Sequence, residues 1–228
     1  MATSDHKPRL FVLAGTNGAG KSSIGGATIR ARGGHYFNPD ETAAAIRQAH
    51  PHLSPTQANS AAWHEGKKML QRAIAEGLDY NFETTLGGRS FVRLLKDAAA
   101  KGFAVYIWYV GLASPEHHLA RVKARVRHGG HDIPEADIRR RFDQSRLQLI
   151  ELLPVLTELR LYDNSMDADP KRGQPPRPHL LLHWKQDSEG RGTATIPIAL
   201  GEAPEWSKAI LMAAIKAQSP PAAAQAKP

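Results

Sequence analysis

A short segment near the start of the chain has the residue types and spacing needed to hold a nucleoside triphosphate. Glycines let backbone N–H groups turn toward phosphate oxygens, and the start of a following helix adds partial positive charge. Lys21 can bridge the β- and γ-phosphates, and the hydroxyl of Ser22 can bind Mg²⁺. The segment matches the pattern G-x-x-x-x-G-K-S/T, which predicts a P-loop that binds ATP or GTP. Its phosphate-binding residues are Gly15, Thr16, Asn17, Gly18, Ala19, Gly20, Lys21, Ser22 and Ser23.

An acidic side chain, Asp40, follows a short predicted strand at residues 35–37. Ligands of open α/β sheets bind at the carboxyl ends of the strands, and Asp40 belongs to such an end. Asp40 could accept the proton of a substrate hydroxyl while that hydroxyl attacks the γ-phosphate. An N-cap for a helix at residues 41–49 would explain the same aspartate. Spacing alone leaves both interpretations open.

A second polar strand end contains Glu83 and Thr85, after a strand predicted at residues 79–83. A carboxylate and a hydroxyl at this edge of the sheet could orient a sugar or a nucleoside. The alternative is an ordinary polar strand end with a capping threonine. Because two polar strand ends converge on one phosphate loop, we favour a substrate site that includes Asp40, Glu83 and Thr85.

Arginines are concentrated in one part of the chain. Arg121 and Arg125 share one face of a predicted helix, and residues 139–141 are three further arginines on a second helix. Two basic helices around a Gly-Gly break predict a lid at about residues 114–152. Its arginines would pair with the triphosphate, and its closure would exclude water. A solvated basic face is the alternative.

Metal ligands beyond Ser22 are not evident from the sequence. His128, His131 and Asp132 have no further ligand pair at metal-site spacing, so we assign them to the turn of the lid. The strongest apolar strand, predicted at residues 103–110, is followed by Gly-Leu and not by an acid. This absence argues against a motor ATPase or a GTPase.

The composition is that of an ordinary globular protein. Of the 228 residues, 41% are hydrophobic and 23% are charged, and the formal net charge is +8. The absence of cysteine excludes disulfides and cysteine-bound metals. Without a signal-peptide pattern or a long apolar segment, we expect a cytoplasmic protein with no membrane partner. The positive charge permits nucleic-acid binding, but no recognisable nucleic-acid module supports such a partner.

Strands and helices alternate from residue 9 to about residue 163, which predicts an α/β fold of the P-loop nucleoside-triphosphate hydrolase or kinase type. We expect a parallel five-stranded sheet flanked by helices, with the arginine-rich lid outside it. One kinase domain would span residues 9–217, with a C-terminal extension at 166–217 that contains an edge hairpin and a last helix. Residues 1–8 and 218–228 are expected to be disordered.

Four segments together resemble the zeta-toxin family of P-loop kinases. They are GTNGAGKSS at 15–23, NPDETA at 38–43, FETTL at 82–86 and RVKARVRHGGHDIPEADIRRRF at 121–142. YDNS at 162–165 is similar to a late strand of the family. The lid sequence looks more like a stand-alone chromosomal branch than like the plasmid toxins.

The resemblance implies transfer of the ATP γ-phosphate to a hydroxyl, which in the best-known members belongs to UDP-N-acetylglucosamine. By position, Asp40 matches the catalytic base, Glu83 and Thr85 the substrate-orienting pair, and Lys21 the phosphate-loop lysine. The γ-phosphate arginines match Arg125 and Arg140, with Arg121 as a further nucleotide contact. The resemblance also implies a nucleotide-sugar acceptor and an antitoxin partner.

Two other functions are consistent with the same residues. One is a P-loop ATPase that binds nucleic acid through the lid arginines, or that acts as a regulatory nucleotide-binding protein. The other is a kinase-like fold without activity, against which the intact Lys21, Ser22 and Asp40 argue.

Overall fold

The computed structural model describes residues 7–26, 29, 36–130, 132–166 and 177–218, and these contain six strands in one sheet. Along the sheet the order is β2-β1-β3-β4-β5-β6. The first four strands in this order are parallel to one another. The fifth is antiparallel to the fourth, and the sixth is antiparallel to the fifth. The strands are β1 (Arg9–Ala14), β2 (Tyr80–Thr84), β3 (Ala104–Gly111), β4 (Glu158–Asp163), β5 (His179–Gln186) and β6 (Gly192–Thr195).

Helices connect the parallel strands, as the predicted α/β class requires. A single π-helical turn at Ser22–Gly26 follows the P-loop, where we predicted a longer helix whose remainder falls mostly outside the described residues. The α-helices are α1 (Pro39–Ala49), α2 (Pro55–Glu76), α3 (Arg89–Ala100), α4 (Pro115–Arg127), α5 (Glu135–Leu152) and α6 (Glu205–Ala217).

The start of α2 shows why its boundary is readable from sequence. Ser54 Oγ accepts a hydrogen bond from the Gln57 backbone N–H, and the Gln57 side chain accepts one from the Ser54 N–H. Pro55 occupies the first turn, where no N–H is needed. Gly77 ends the helix in the left-handed conformation with φ 69°. Ser54 and Gln57 thus form a capping box, which the residue types at these two positions favour.

The sheet differs from the predicted parallel five-stranded sheet in the number and direction of its strands. Phe37 forms only an isolated bridge to Phe82, because the chain turns into α1 at Pro39, which lacks a backbone N–H. His35 lies outside the described residues. In its place β5 and β6 extend the sheet beyond β4, at the edge where we predicted a hairpin.

One hydrophobic core runs between the sheet and helices α3, α5 and α6. The C-terminal segment is part of it, because Trp184 and Trp206 are buried there. The Trp206 ring stacks on Tyr109 of the central strand β3, with 6.2 Å between ring centroids. None of the described helices combines the length and the apolar composition required to cross a bilayer. The predicted disordered ends at 1–8 and 218–228 lie almost entirely outside the described residues.

Candidate active site

The P-loop connects β1 to the π-helical turn at the carboxyl edge of the sheet. Three of its glycines have positive φ angles: 136° at Gly15, 82° at Gly18 and 89° at Gly20. At Gly15 a Cβ would lie 2.1 Å from the Val110 carbonyl oxygen of β3. The tight approach to the neighbouring strand therefore requires glycine at this position as much as the turn does.

Lys21 and Ser22 both contact one carboxylate, that of Glu83 at the end of β2. The pairing of Leu13 with Glu83 between β1 and β2 brings this residue beside the loop. Lys21 Nζ is 3.5 Å from Glu83 Oε1, and Ser22 Oγ donates to Glu83 Oε2 at 2.8 Å. Lys21 and Glu83 are only 6% and 8% exposed. The contact is therefore largely shielded from solvent.

The Ser22 hydroxyl and the Glu83 carboxylate have the chemistry to bind a magnesium ion. Mg²⁺ prefers oxygen donors and typically takes one or two carboxylates, with phosphates and waters as its other ligands. Ser22 and Glu83 supply a hydroxyl and a carboxylate beside the expected phosphate position. Within the described part of the chain, no cluster of three His, Cys, Asp or Glu residues could hold a metal. His131 lies outside the described residues.

Asp40 lies in the first turn of α1, but it is not the helix cap. The Oδ1 atom of Asn38 accepts hydrogen bonds from the N–H groups of Asp40 and Glu41, at 2.9 and 3.4 Å. The N-cap interpretation of Asp40 is therefore wrong, because the helix begins at Pro39 and Asn38 caps it. The Asp40 carboxylate instead contacts the lid, where Arg125 Nη1 lies 3.1 Å from its Oδ2.

The predicted lid corresponds to α4 and α5, which share a small apolar cluster of Leu119, Val122, Ile133 and Ile138. Arg125 contacts Asp40 from α4. Arg121, one turn earlier, donates to the carbonyl oxygens of Asn164 and Met166 after β4, at 2.7 and 3.0 Å. The two arginines that share a helix face therefore lie beside different parts of the site.

The three consecutive arginines of α5 have different surroundings. Arg139 pairs with Glu116 and Glu135 on the surface, as a solvated basic face would. Arg140 pairs with Asp137, and its side chain remains 53% exposed. Arg141 is more buried and contacts the P-loop directly, because its Nη1 donates to Asn17 Oδ1 at 2.8 Å.

The sequence does not distinguish Arg141 from the two arginines that precede it. The second contact of Arg141 is Asp137, one helical turn earlier, at 3.2 Å. Burial is the main influence on this guanidinium and lowers its pKa from the ordinary value. An acid at i−4 is a pattern that could have distinguished Arg141, but Arg139 shows the same spacing to Glu135.

A cavity of about 470 Å³ lies beside the P-loop and contains most of the predicted substrate site. Asp40, Glu83 and Thr85 line it, together with Asn17 of the loop and Asp132 of the lid turn. The lid contributes Arg140 and Arg141 to the same wall.

The opposite wall belongs to α2, which our sequence analysis left without a role. Thr56, Asn59, Ser60 and Trp63 line the cavity from one face of this helix. Their spacing of three, four and seven residues is the helical repeat, and it mixes hydroxyl, amide and aromatic groups. That pattern could have indicated a ligand-facing helix.

Two threonines at the end of β2 shape the cavity floor. Thr84 Oγ1 accepts a hydrogen bond from the Leu86 N–H, and Thr85 Oγ1 accepts one from the Gly87 N–H. Leu86 has a φ of 50°, and among the described residues no other non-glycine residue has a positive φ. The hydroxyls thus support a strained turn that lies against the site.

Known proteins resemble this chain in sequence and in fold. The family model described as Zeta toxin matches residues 1–162. An uncharacterized protein of Haemophilus influenzae (strain ATCC 51907 / DSM 11121 / KW20 / Rd) is 35% identical over 139 residues, which is 59% of this chain and 92% of that protein. The family match includes the P-loop and helices α4 and α5. It ends before β5, β6 and α6.

Solved structures match at lower identity. The native AvrRxo1-ORF1:-ORF2 complex matches with a TM-score of 0.62 at 16% identity, over 94% of this chain and 72% of that chain. A chain from the PezAT toxin-antitoxin system of Streptococcus pneumoniae matches with a TM-score of 0.53 at 16% identity, over 76% and 75% of the two chains. These similarities show the same α/β fold with a P-loop.

Proposed function

Because the chain belongs to the zeta toxin family, we propose that it is an ATP-dependent kinase that transfers the γ-phosphate to a hydroxyl of a small molecule. One observation carries the proposal. Asp40 lines the same cavity as Asn17 of the P-loop, so a hydroxyl bound there would lie between a carboxylate and the terminal phosphate. This is the arrangement that phosphoryl transfer to an alcohol requires.

In the proposed reaction, Asp40 accepts the proton of the acceptor hydroxyl as the hydroxyl oxygen bonds to the γ-phosphorus. The bond between that phosphorus and the β–γ bridging oxygen breaks, and ADP leaves with the electron pair. Lys21 and the lid arginines neutralise the charge that develops on the transferring group. Arg125 positions the Asp40 carboxylate through its 3.1 Å contact.

Arg140 and Arg121 keep the roles that the family resemblance gives them. Arg140 lines the cavity and is half exposed, so its side chain can turn toward a bound γ-phosphate. Arg121 lies beside the P-loop, because a Cβ added at Gly18 would be 3.6 Å from the Cβ of Arg121. Ser22 and Glu83 would hold the Mg²⁺, and when bound this ion supplies positive charge to the β- and γ-phosphate oxygens.

We propose a nucleotide sugar such as UDP-N-acetylglucosamine as the acceptor. The cavity volume is within the range of small-molecule sites, roughly 300–1,000 Å³. Hydroxyl and amide groups on α2 suit a sugar, and Trp63 packs edge-on against Phe91 at the same wall. Glu83 and Thr85 would orient the reacting sugar from the opposite side.

We further propose that the protein binds an antitoxin. Two of the matched structures are described as AvrRxo1-ORF1:-ORF2 and as the PezAT toxin-antitoxin system. A protein that blocks the P-loop or the cavity would keep the kinase inactive until it is removed.

The proposal is tested by incubating the protein with ATP, Mg²⁺ and a panel of hydroxylated metabolites that includes UDP-N-acetylglucosamine. We expect a phosphorylated acceptor, identified by mass spectrometry. Asp40→Asn should lower kcat by about a hundredfold to ten-thousandfold, because the general base is lost. Its affinity for ATP should stay close to that of the wild type.

Asp132→Asn is a matched control, since Asp132 lines the cavity but its Oδ1 accepts a hydrogen bond from the Ile133 N–H, which asparagine preserves. This variant should keep most of the activity. Equal turnover by Asp40→Asn and the wild type would remove Asp40 from the mechanism. No product with any hydroxylated acceptor would count against the kinase proposal.

The nucleic-acid alternative finds less support in the geometry. Arg139, Arg140 and Arg141 all pair with acidic residues of the lid. Arginines that contact a phosphate backbone must first give up such partners. Charge reversal at residues 139–141 should therefore leave any nucleic-acid binding and its salt dependence unchanged.

A further inference from the structure

Two carbonyl oxygens of the P-loop are held by side chains from outside the loop. The His118 Nδ1 atom, on α4, lies 2.8 Å from the Asn17 carbonyl oxygen. Asn164 Nδ2, in the segment after β4, donates to the Ala19 carbonyl oxygen at 2.9 Å. His118 and Asn164 are 1% and 4% exposed, so water does not compete well for either contact.

The two contacts bear on the phosphate-binding N–H groups through peptide geometry. In a planar trans peptide, the C=O of one residue and the N–H of the next point in opposite directions. A fixed Asn17 carbonyl therefore fixes the direction of the Gly18 N–H, and a fixed Ala19 carbonyl fixes that of the Gly20 N–H. Glycine has a wide choice of backbone angles, so the loop's own sequence does not set these directions.

We propose that His118 and Asn164 are positioning residues that aim the Gly18 and Gly20 N–H groups at the phosphates of a bound nucleotide. A loop that is ordered before binding does not lose conformational entropy when the phosphates arrive. Neither residue touches the nucleotide in this account. Each acts through the one peptide group whose oxygen it holds.

The surroundings of His118 fix which ring nitrogen carries the proton. A carbonyl oxygen only accepts, so the hydrogen bond to Asn17 requires a proton on Nδ1. Burial lowers the pKa of His118 to about 4, and the nearby Lys21 and Arg121 act in the same direction. The ring is therefore neutral near neutral pH, with its single N–H at Nδ1. It also packs edge-on against Phe142 of α5.

Asn164 is held on both sides of its side chain. Its backbone N–H donates to the Gly111 carbonyl oxygen at 3.0 Å, and its own carbonyl accepts from Arg121 Nη2 at 2.7 Å. A Cβ at Gly20 would approach Asn164 Nδ2 to 2.7 Å, so the amide fits closely against the loop. Aspartate in place of Asn164 would present an oxygen, not an N–H, to the Ala19 carbonyl.

Paired substitutions at His118 separate the hydrogen bond from the packing. His118→Phe keeps a ring against Phe142 but removes the donor, whereas His118→Asn removes the ring but places an amide N–H near the position of Nδ1. Isothermal titration would compare a non-hydrolysable ATP analogue with adenosine, which has no phosphates. We expect His118→Phe to weaken the ATP analogue roughly tenfold and His118→Asn to recover to within about threefold of wild type.

Asn164→Asp gives an independent arm. It should weaken the ATP analogue at least as much as His118→Phe, since two oxygens would then face each other. Ser165→Ala and His117→Phe are the neighbouring controls, and neither should change affinity for the analogue.

Adenosine affinity decides between a positioning role and a structural one. The inference would be overturned if a variant lost affinity for adenosine as much as for the ATP analogue. It would also be overturned if Asn164→Asp or His118→Phe, once folded, bound the ATP analogue as tightly as the wild type. A His118→Phe protein that does not fold leaves the Asn164→Asp arm to decide alone. The inference rests on nucleotide binding and not on an acceptor, so it stands if the ATP analogue shows the expected pattern while no acceptor is phosphorylated.

Discussion

At the residue scale, Glu83 links the two P-loop side chains that have functional groups for a nucleotide and its metal. Its carboxylate contacts both Lys21 and Ser22, the two P-loop side chains that a nucleotide and its metal need. An incoming triphosphate would compete with Glu83 for the lysine, and a Mg²⁺ ion would give the carboxylate a new partner. We therefore propose that this one residue couples metal binding to nucleotide binding.

Glu83→Gln tests that coupling. Removing a negative charge next to the triphosphate position should strengthen Mg²⁺-free binding of ATP by about threefold to tenfold. The same change removes a carboxylate ligand, so added Mg²⁺ should improve affinity less than it does in the wild type. Titrations of ATP with and without Mg²⁺ would measure both effects. An unchanged Mg²⁺ dependence in Glu83→Gln would contradict the coupling, and Asp132→Asn is the control for loss of a cavity carboxylate.

His118 predicts a pH dependence of stability. The unfolded chain binds a proton at this histidine below about pH 6.5, whereas the folded imidazole, with a pKa of about 4, does not. Lowering the pH between these values therefore favours the unfolded state. From about pH 7 to about pH 5, the wild type should lose about 2 kcal/mol of unfolding free energy through this residue.

Urea denaturation at both pH values measures the effect. His118→Asn lacks the titrating ring and should lose correspondingly less stability over the same interval, while other groups titrate equally in the two proteins. The same pH dependence in both proteins would show that His118 is not the source.

At the element scale, α5 belongs to two apolar clusters. Its start packs with α4 through Ile138, whereas Phe142, Leu149 and Leu152 belong to the main core. Arg125 contacts Asp40, Arg141 contacts Asn17, and both contacts lie around the cavity. Ligands at the same place can therefore compete with these polar contacts of α4 and the start of α5.

Arg141→Lys tests the lid contact to the loop. Lysine keeps the charge but cannot contact Asn17 and Asp137 at once through a planar fork. We expect kcat/KM for ATP in the proposed reaction to fall by about tenfold to a hundredfold. Arg139→Lys, on the same helix but with surface partners only, should stay within about twofold of wild type. Equal effects of the two substitutions would argue against a specific role for Arg141.

At the scale of the whole molecule, the C-terminal segment completes both the core and the site. Strands β5 and β6 and helix α6 lie beyond the residues that the family model matches, yet they share the main core. Trp206 Nε1 donates to Asp163 Oδ1 at 3.0 Å, and Asp163 precedes Asn164 in the chain. The acid at the end of β4 is thus linked to α6 by a hydrogen bond, one residue before Asn164.

Trp206→Leu should therefore destabilise the protein by about 3 kcal/mol, through lost packing against Tyr109 and Gly111 and loss of one of the hydrogen-bond donors to Asp163. Thermal and urea unfolding would measure it. Trp63→Leu is the matched control, because Trp63 is partly exposed on the cavity wall, and it should change stability by less than about 1 kcal/mol. Equal destabilisation by the two would mean that α6 is not integral to the core.

The sequence by itself determined the parts that depend on contacts between near neighbours in the chain. The P-loop spacing, the capping box at Ser54 and the apolar strand before Gly111 each specify a local conformation, and the capping box sets the start of α2. The α/β class also followed, since alternating strands and helices have few ways to pack. The resemblance of four segments to one family was enough to place the chain in it.

Only the tertiary structure decided which side chains meet across long stretches of sequence. Asn38, and not Asp40, caps α1; Arg141 contacts the loop; α2 forms a wall of the cavity; and the C-terminal hairpin makes the sheet six-stranded and mixed. The arginines of α5 look equivalent in sequence because helical spacing fixes only their direction around one axis. Their partners are set by how α4, α5 and the sheet pack together, and that packing depends on many distant apolar residues at once.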